Sequence, residues 1–213
     1  MKIQVAGDEM ILHPDRAMFW ECQETLVVTD LHLGKVQHFR NAGIYVPENA
    51  SLDNYERLSS LLIEFNPRRL LILGDLFHSS YNQDWINFCE LRNSFSTVVF
   101  ELVPGNHDIL DHELFIRNDV SLYPEGLQRG AFCFSHYPAP NDRMYNLAGH
   151  VHPGVRLVGD GMPSMKLPVF YFGLNSGILP SFGTFTGIAV IKPQPGDQVI
   201  GISEDQLFAL GAS

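Results

Sequence analysis

Leu70-Leu71-Ile72-Leu73-Gly74-Asp75-Leu76-Phe77-His78 is the stretch whose reading decides the fold. Four apolar residues in a row read as a strand buried on both faces. Asp75 stands where that strand ends and a loop begins. In open α/β sheets, ligands gather outside the carboxyl ends of the strands. Gly74 carries no Cβ to block a close approach. Asp75 is therefore a candidate metal ligand, although a Gly-Asp turn after a strand is in isolation an ordinary turn.

The same arrangement recurs on either side. Residues 25–29 are β-branched or apolar and form a predicted strand that runs into Asp30-Leu31-His32. Residues 97–100 form another, leading through Pro104 into Gly105-Asn106-His107-Asp108. Helical patterns lie between them. One covers 34–42 and ends at Gly43. A second has apolar positions at Leu52, Tyr55, Leu58, Leu62 and Phe65, with Ser51 as N-cap and Pro67 as stop; its stripe reads as core. A third carries Trp85, Phe88, Leu91 and Phe95, capped by Asp84. Strand alternating with helix predicts βαβ units and a mainly parallel sheet, preceded by short strands at 2–6, 10–13 and 17–20.

After about residue 119 the helical period fades. Short strands are predicted at 132–134, 155–157, 169–172, 188–191 and 199–202, between turns rich in Gly and Pro. They predict a second sheet, mostly antiparallel, packed on the first; the tail 204–210 reads as a short helix or strand. No linker, repeat or low-complexity segment divides the chain, so residues 1–213 are expected to form one domain. The expected fold class is α/β, with two packed mixed β-sheets flanked by helices.

The chain has 213 residues and 45% hydrophobic content, enough for a real core. No apolar run reaches membrane-spanning length, and the start lacks a signal-peptide pattern. Cys22, Cys89 and Cys133 are odd in number and scattered, which fits reduced thiols in a cytoplasm. No membrane partner is expected. The net charge of −10 argues against a broad grip on duplex DNA. It leaves room for a short strand entering a locally positive, metal-bearing cleft.

Five signals thus fall at predicted strand ends or in loops: Asp30-x-His32, Gly74-Asp75, Gly105-Asn106-His107-Asp108, His136, and Gly149-His150-Val151-His152. Each alone has a bland reading as a turn or a hydrogen-bonded loop histidine. Together they supply imidazole and carboxylate donors that suit Mn, Fe, Zn or Co. If Asp75 bridges two ions, seven side chains give four donors to each. Two divalent ions against two aspartates and one hydroxide leave a core charge of about +1, which attracts phosphate. Such a pair yields a nucleophilic hydroxide near neutral pH and clamps a phosphoryl group. Alternate residues of an extended segment, such as His150 and His152, can reach one ion each.

These motifs, in this order, make the chain resemble the calcineurin-like metallophosphoesterase superfamily, an αββα sandwich. The resemblance implies one ion held by Asp30, His32, Asp75 and His152, and a second by Asp75, Asn106, His136 and His150. It implies His107 as the acid that protonates the leaving oxygen, with Asp108 orienting it. Three stretches are similar to the bacterial ligase-associated DNA damage response endonucleases of that superfamily. They are Asp30-Leu31-His32-Leu33-Gly34-Lys35 with Phe39, Gly43 and Pro47; Gly74 to His78; and Leu179-Pro180-Ser181-Phe182-Gly183-Thr184-Phe185-Thr186-Gly187. That subfamily more often has an acidic residue where Gly34 stands. This likeness implies a manganese-dependent phosphodiesterase acting on DNA, single strands above all, beside a DNA ligase and a helicase-type partner.

Weaker expectations attach to other residues. His78 is read as lining the site. Lys35 and Arg40 are read as phosphate contacts or as a solvated helix face. Tyr137 and Arg143 adjoin His136; Phe39 and Phe182 are either base-stacking or packing residues. His13, His38 and His112 are read as surface or capping residues. Two rival functions remain open on sequence: a phosphoesterase of a small nucleotide or metabolite, and a non-catalytic scaffold.

Overall fold

The parallel strands end at one rim, and everything chemical follows from that. In the computed structural model, residues 1–35, 50–77, 82–158, 164–184 and 186–211 are described. Among them, seven strands form a first sheet in the order β1 (Lys2–Val5), β2 (Asp8–His13), β3 (Ala17–Trp20), β4 (Thr25–Thr29), β5 (Arg69–Leu73), β6 (Val99–Val103), β7 (Val120–Leu122). The first four are joined antiparallel, and β4 to β7 run parallel. Register places Thr29 beside Leu73, and Leu73 beside Val103. The residues that follow these three therefore emerge level with one another.

The second sheet contains β8 (Leu127–Arg129), β9 (Phe132–Ser135), β10 (Tyr145–Ala148), β11 (Pro153–Leu157), β12 (Met165–Phe172), β13 (Ser176–Ile178), β14 (Ala189–Val190), β15 (Gln198–Ser203) and β16 (Gln206–Leu210). Most of its pairs are antiparallel, as expected. Its central strands β9, β10 and β13 are parallel, with Ala148 level with Ser135 on one side and Ile178 on the other.

Strand β5 shows why the sheets stack. Leu71 and Leu73 face a core shared with the second sheet, alongside Phe132, Phe134 and Phe170. Leu70 and Ile72 face the opposite way, into a core shared with the helices. Those helices are α1 (Ala50–Phe65), α2 (Gln83–Ser94) and α3 (His112–Arg117). Among the described residues, no helix is long and apolar enough to cross a membrane. The three cysteines are free.

Several sequence expectations shift. The strand expected at 97–100 is β6, two residues later. Ser51 lies within α1 rather than before it. Leu52 is exposed, so the packed stripe of α1 is Tyr55, Leu58, Leu61, Leu62 and Phe65. Asn82, not Asp84, caps α2: its extended backbone lets Oδ1 accept from the Asp84 and Trp85 amides at 2.9 and 3.4 Å. The tail is strand β16. Residues 36–49, which include most of the expected helix over 34–42, lie outside the described residues.

Glu101 interrupts the apolar run of β6 and is buried. Its carboxylate accepts two hydrogen bonds from Arg129 of β8, at 2.8 and 2.9 Å, and one from the Tyr123 hydroxyl at 3.0 Å. An ion pair thus joins the two sheets. Glu101→Ala would strand the Arg129 charge in a mostly buried position. The expected loss is about 3 kcal/mol, read from the urea midpoint at unchanged slope. A loss below about 1 kcal/mol, the range of exposed pairs, would show that the pair does not tie the sheets.

Candidate metal centre

The rim is built from loops that hydrogen-bond onward after the strands have ended. Asp30 N donates to Gly74 O (3.1 Å), His32 N to Asp75 O (2.8 Å) and Leu33 N to Leu76 O (2.9 Å). This continues the β4–β5 ladder and holds Asp30 beside Asp75. Asp30, His32, Asp75, His150 and His152 all have left-handed backbone, with φ between 47° and 65°. Such conformers are costly for L-residues and cluster at functional sites. Gly74 also has positive φ, and a Cβ there would overlap the His136 ring.

The sequence-predicted donors converge into two clusters. Asp30, His32 and His152 offer ligand atoms within 4.8 Å of one another, and so do Asp75, His136 and His150. Asp75 faces both: Oδ2 lies 3.8 Å from His32 Nε2, and Oδ1 lies 3.6 Å from His136 Nε2. Asn106 joins the second cluster, with Oδ1 3.2 Å from His136 Nε2. The Asp30 carboxylate accepts from the His150 amide at 2.9 Å and lies 3.6 Å from His152 Nε2.

Tautomers follow from backbone carbonyls, which can only accept. His136 Nδ1 points at Leu73 O (3.3 Å) and His152 Nδ1 at Gly187 O (3.2 Å), so both carry their proton on Nδ1. Each Nε2 then presents a lone pair. His152 Nε2 is buried with no hydrogen-bond partner. His136 Nε2 faces a further acceptor, Asn106 Oδ1 at 3.2 Å, and lies 3.1 Å from His150 Nδ1, whose role depends on the His150 tautomer. Burial pushes His150 towards its neutral form, helped by His136 and opposed by Asp30 and Asp75. Lone pairs facing lone pairs fit a site made for cations. The donor set of imidazole, carboxylate and amide oxygen suits divalent ions.

His107 sits at the rim, its ring 5.6 Å from that of His32, and its amide donates to Asp75 Oδ1 at 3.0 Å. Asp108 has backbone partners that the sequence did not suggest. Its oxygens accept from the Phe77 and Gly105 amides at 2.9 and 2.8 Å, which clamps the β5 loop to the β6 loop. It thereby supports the turn that carries His107. Burial pushes its carboxyl up to about 7, against those backbone donors.

Lys35 lies three residues after His32, and its amide donates to the His32 carbonyl at 3.2 Å; burial pushes its amine down, while Asp75 and Asp30 pull it up. Its ammonium thus feels the carboxylates of both Asp75 and Asp30. His78, Arg40, Phe39 and His38 lie outside the described residues. Tyr137 does line the centre: its hydroxyl donates to Asn106 Oδ1 at 2.9 Å and its ring centroid is 4.3 Å from that of His150. Arg143 is exposed, with its described hydrogen bond going to Asn141. Phe182 is fully buried beneath the Arg57 guanidinium and is a packing residue. His13 accepts from the Asp15 amide in a turn, and His112 opens α3 on the surface. Sequence reasoning gave no role to Leu73 O and Gly187 O, since a carbonyl that orients a histidine leaves no mark in residue identity.

A family model described as calcineurin-like phosphoesterase matches residues 24–170. Among solved structures, the chain is similar to the nuclease MPE of Pseudomonas putida. The two are 27% identical, with 99% of each chain covered and a TM-score of 0.85. A phosphoesterase from E. coli, Yfce, is similar at 16% identity, with 86% of this chain and 90% of that one covered and a TM-score of 0.43. No curated protein matches the chain by sequence. With more than half of its length matched, and with two donor clusters where the strands end, the chain belongs to the calcineurin-like phosphoesterase family and is a metal-dependent phosphoesterase.

Proposed function

We propose that the protein is a two-metal phosphodiesterase that cuts DNA, single strands first, with manganese as the working ion. The observation that carries the phosphodiesterase reading is Asp75, whose two oxygens are divided between two donor clusters. Asp30, His32, Asp75 and His152 would hold one ion; Asp75, Asn106, His136 and His150 would hold the other. Bound ions supply Lewis acidity, lowering the pKa of water and drawing charge from phosphate. Iron or zinc would satisfy the same donors.

The remaining work falls to this chain's residues. Lys35 would meet a substrate phosphate as a hydrogen-bonded cation. His107, at the rim beside His32, would give its proton to the leaving oxygen. Asp108 would keep the His107 turn in place through Gly105. DNA as substrate is supported by the whole-length likeness to a nuclease. A DNA ligase and a helicase-type protein are proposed as partners, and the cytoplasm as compartment. The core shared by both sheets supports reading residues 1–213 as one domain.

A matrix of metals against substrates tests this. With manganese, single-stranded DNA and a small diester are expected to be cleaved, and chelation to abolish both. Turnover of a small monoester with DNA untouched would instead support a metabolite phosphatase.

A further inference from the structure

The segment after β13 leaves the second sheet at the same rim and crosses to the first. Leu179 N donates to Ala148 O at 2.9 Å, and Phe182 N to Thr29 O at 2.8 Å. Thr29 Oγ1 donates to Pro180 O at 3.0 Å. The Asp30 carbonyl accepts twice, from Ser181 Oγ at 2.9 Å and from Gly183 N at 3.1 Å. Further on, Gly187 O receives the His152 Nδ1 proton. Among the described residues, the hydrogen bonds of this strap reach Asp30 and His152 of one cluster and no ligand of the other.

The strap is itself held from behind. Arg16 Nη1 donates to Ser181 O and Gly183 O, both at 3.2 Å. Arg57 Nη1 donates to Phe182 O at 3.1 Å, and its guanidinium lies 4.3 Å over the Phe182 ring. Ser181 is 4% exposed and Phe182 0%. A Cβ on Gly183 would come 2.7 Å from Leu31 O and 3.1 Å from Asp30 O, so only glycine lets the strap lie this close.

The geometry points to Ser181 and Gly183, backed by Arg16, as positioning residues for one ion of the pair. Asp30 sits in left-handed backbone, which its own sterics disfavour. Two hydrogen bonds to its carbonyl fix that conformer and aim its carboxylate. The Gly187 carbonyl does the equivalent for His152 by setting which ring nitrogen carries the proton. Both effects act directly on the Asp30–His32–His152 cluster and reach the Asp75–His136–His150 cluster at one remove, through the His150 amide that donates to the Asp30 carboxylate. The inference rests on the two-metal reading above.

Manganese titration of the full chain followed by electron paramagnetic resonance tests it. Wild-type protein is expected to take two ions and give a spin-coupled signal. Ser181→Ala and Gly183→Ala are expected to bind one ion as wild type does and the other about 10–100-fold more weakly. At intermediate manganese they would show the six-line signal of a lone ion. Ser181→Ala removes one hydroxyl only, so it keeps the test available if Gly183→Ala fails to fold. Equal weakening of both ions, or of neither, in a folded Ser181→Ala protein overturns the positioning role. Wild-type protein that takes fewer than two ions overturns the two-metal reading instead.

Discussion

Asp75→Ala is expected to empty both metal clusters together and to lower phosphodiester turnover by about 10³-fold or more. Removing a group that only supports a metal ligand typically costs about 10–100-fold in affinity or activity. A carboxylate with one oxygen turned to each cluster should cost more, because two ions lose a donor and a charge at once. Metal content per chain after dialysis, together with turnover, is the measurement. Asp75→Asn separates charge from scaffold: it keeps an acceptor for the His107 amide. A shared loss in both variants therefore belongs to the missing charge. Full metal content in Asp75→Ala would end the shared-ligand proposal.

His107→Ala is expected to keep both ions and to lose about 10²–10⁴-fold on DNA, the usual range for general acid help. The main-chain amide that binds Asp75 survives this substitution, so the second cluster should stand. The loss should shrink on a nitrophenyl diester, whose leaving oxygen needs no proton. Equal losses on both substrates would point to a binding or structural role. Unchanged DNA turnover would remove His107 from the chemistry.

The convergence of Asp30, His32, Asp75 and Asn106 was legible because parallel strands share a direction, whereas His136, His150 and His152, from a sheet expected to be mostly antiparallel, were placed by the order of the motifs and the family resemblance they carry. Once Leu70 to Leu73 reads as a buried strand, its carboxyl end has a known side, and donors after neighbouring strands arrive there together. Glu101 was not legible. A lone acid inside an apolar run looks like a strand boundary, and its partner Arg129 lies on a strand of the other sheet. The cap at Asn82 was missed because Asp84 offers the same chemistry two residues later; backbone conformation, not residue type, decides between them. Asp108 was expected to serve its neighbour His107. Its oxygens also accept from backbone amides, one of them on the loop after β5, a partner that only the packed sheet reveals.

The left-handed backbone at five donor positions sets stability against activity. Each such residue costs on the order of 1–2 kcal/mol that glycine would not incur. Selection for thermal resilience alone would drift these five sites towards glycine or asparagine, and the protein would gain melting temperature as it lost its chemistry. Aspartate or histidine stands at every one of them in this chain, so the backbone strain of the rim falls on the residues that carry its donor atoms.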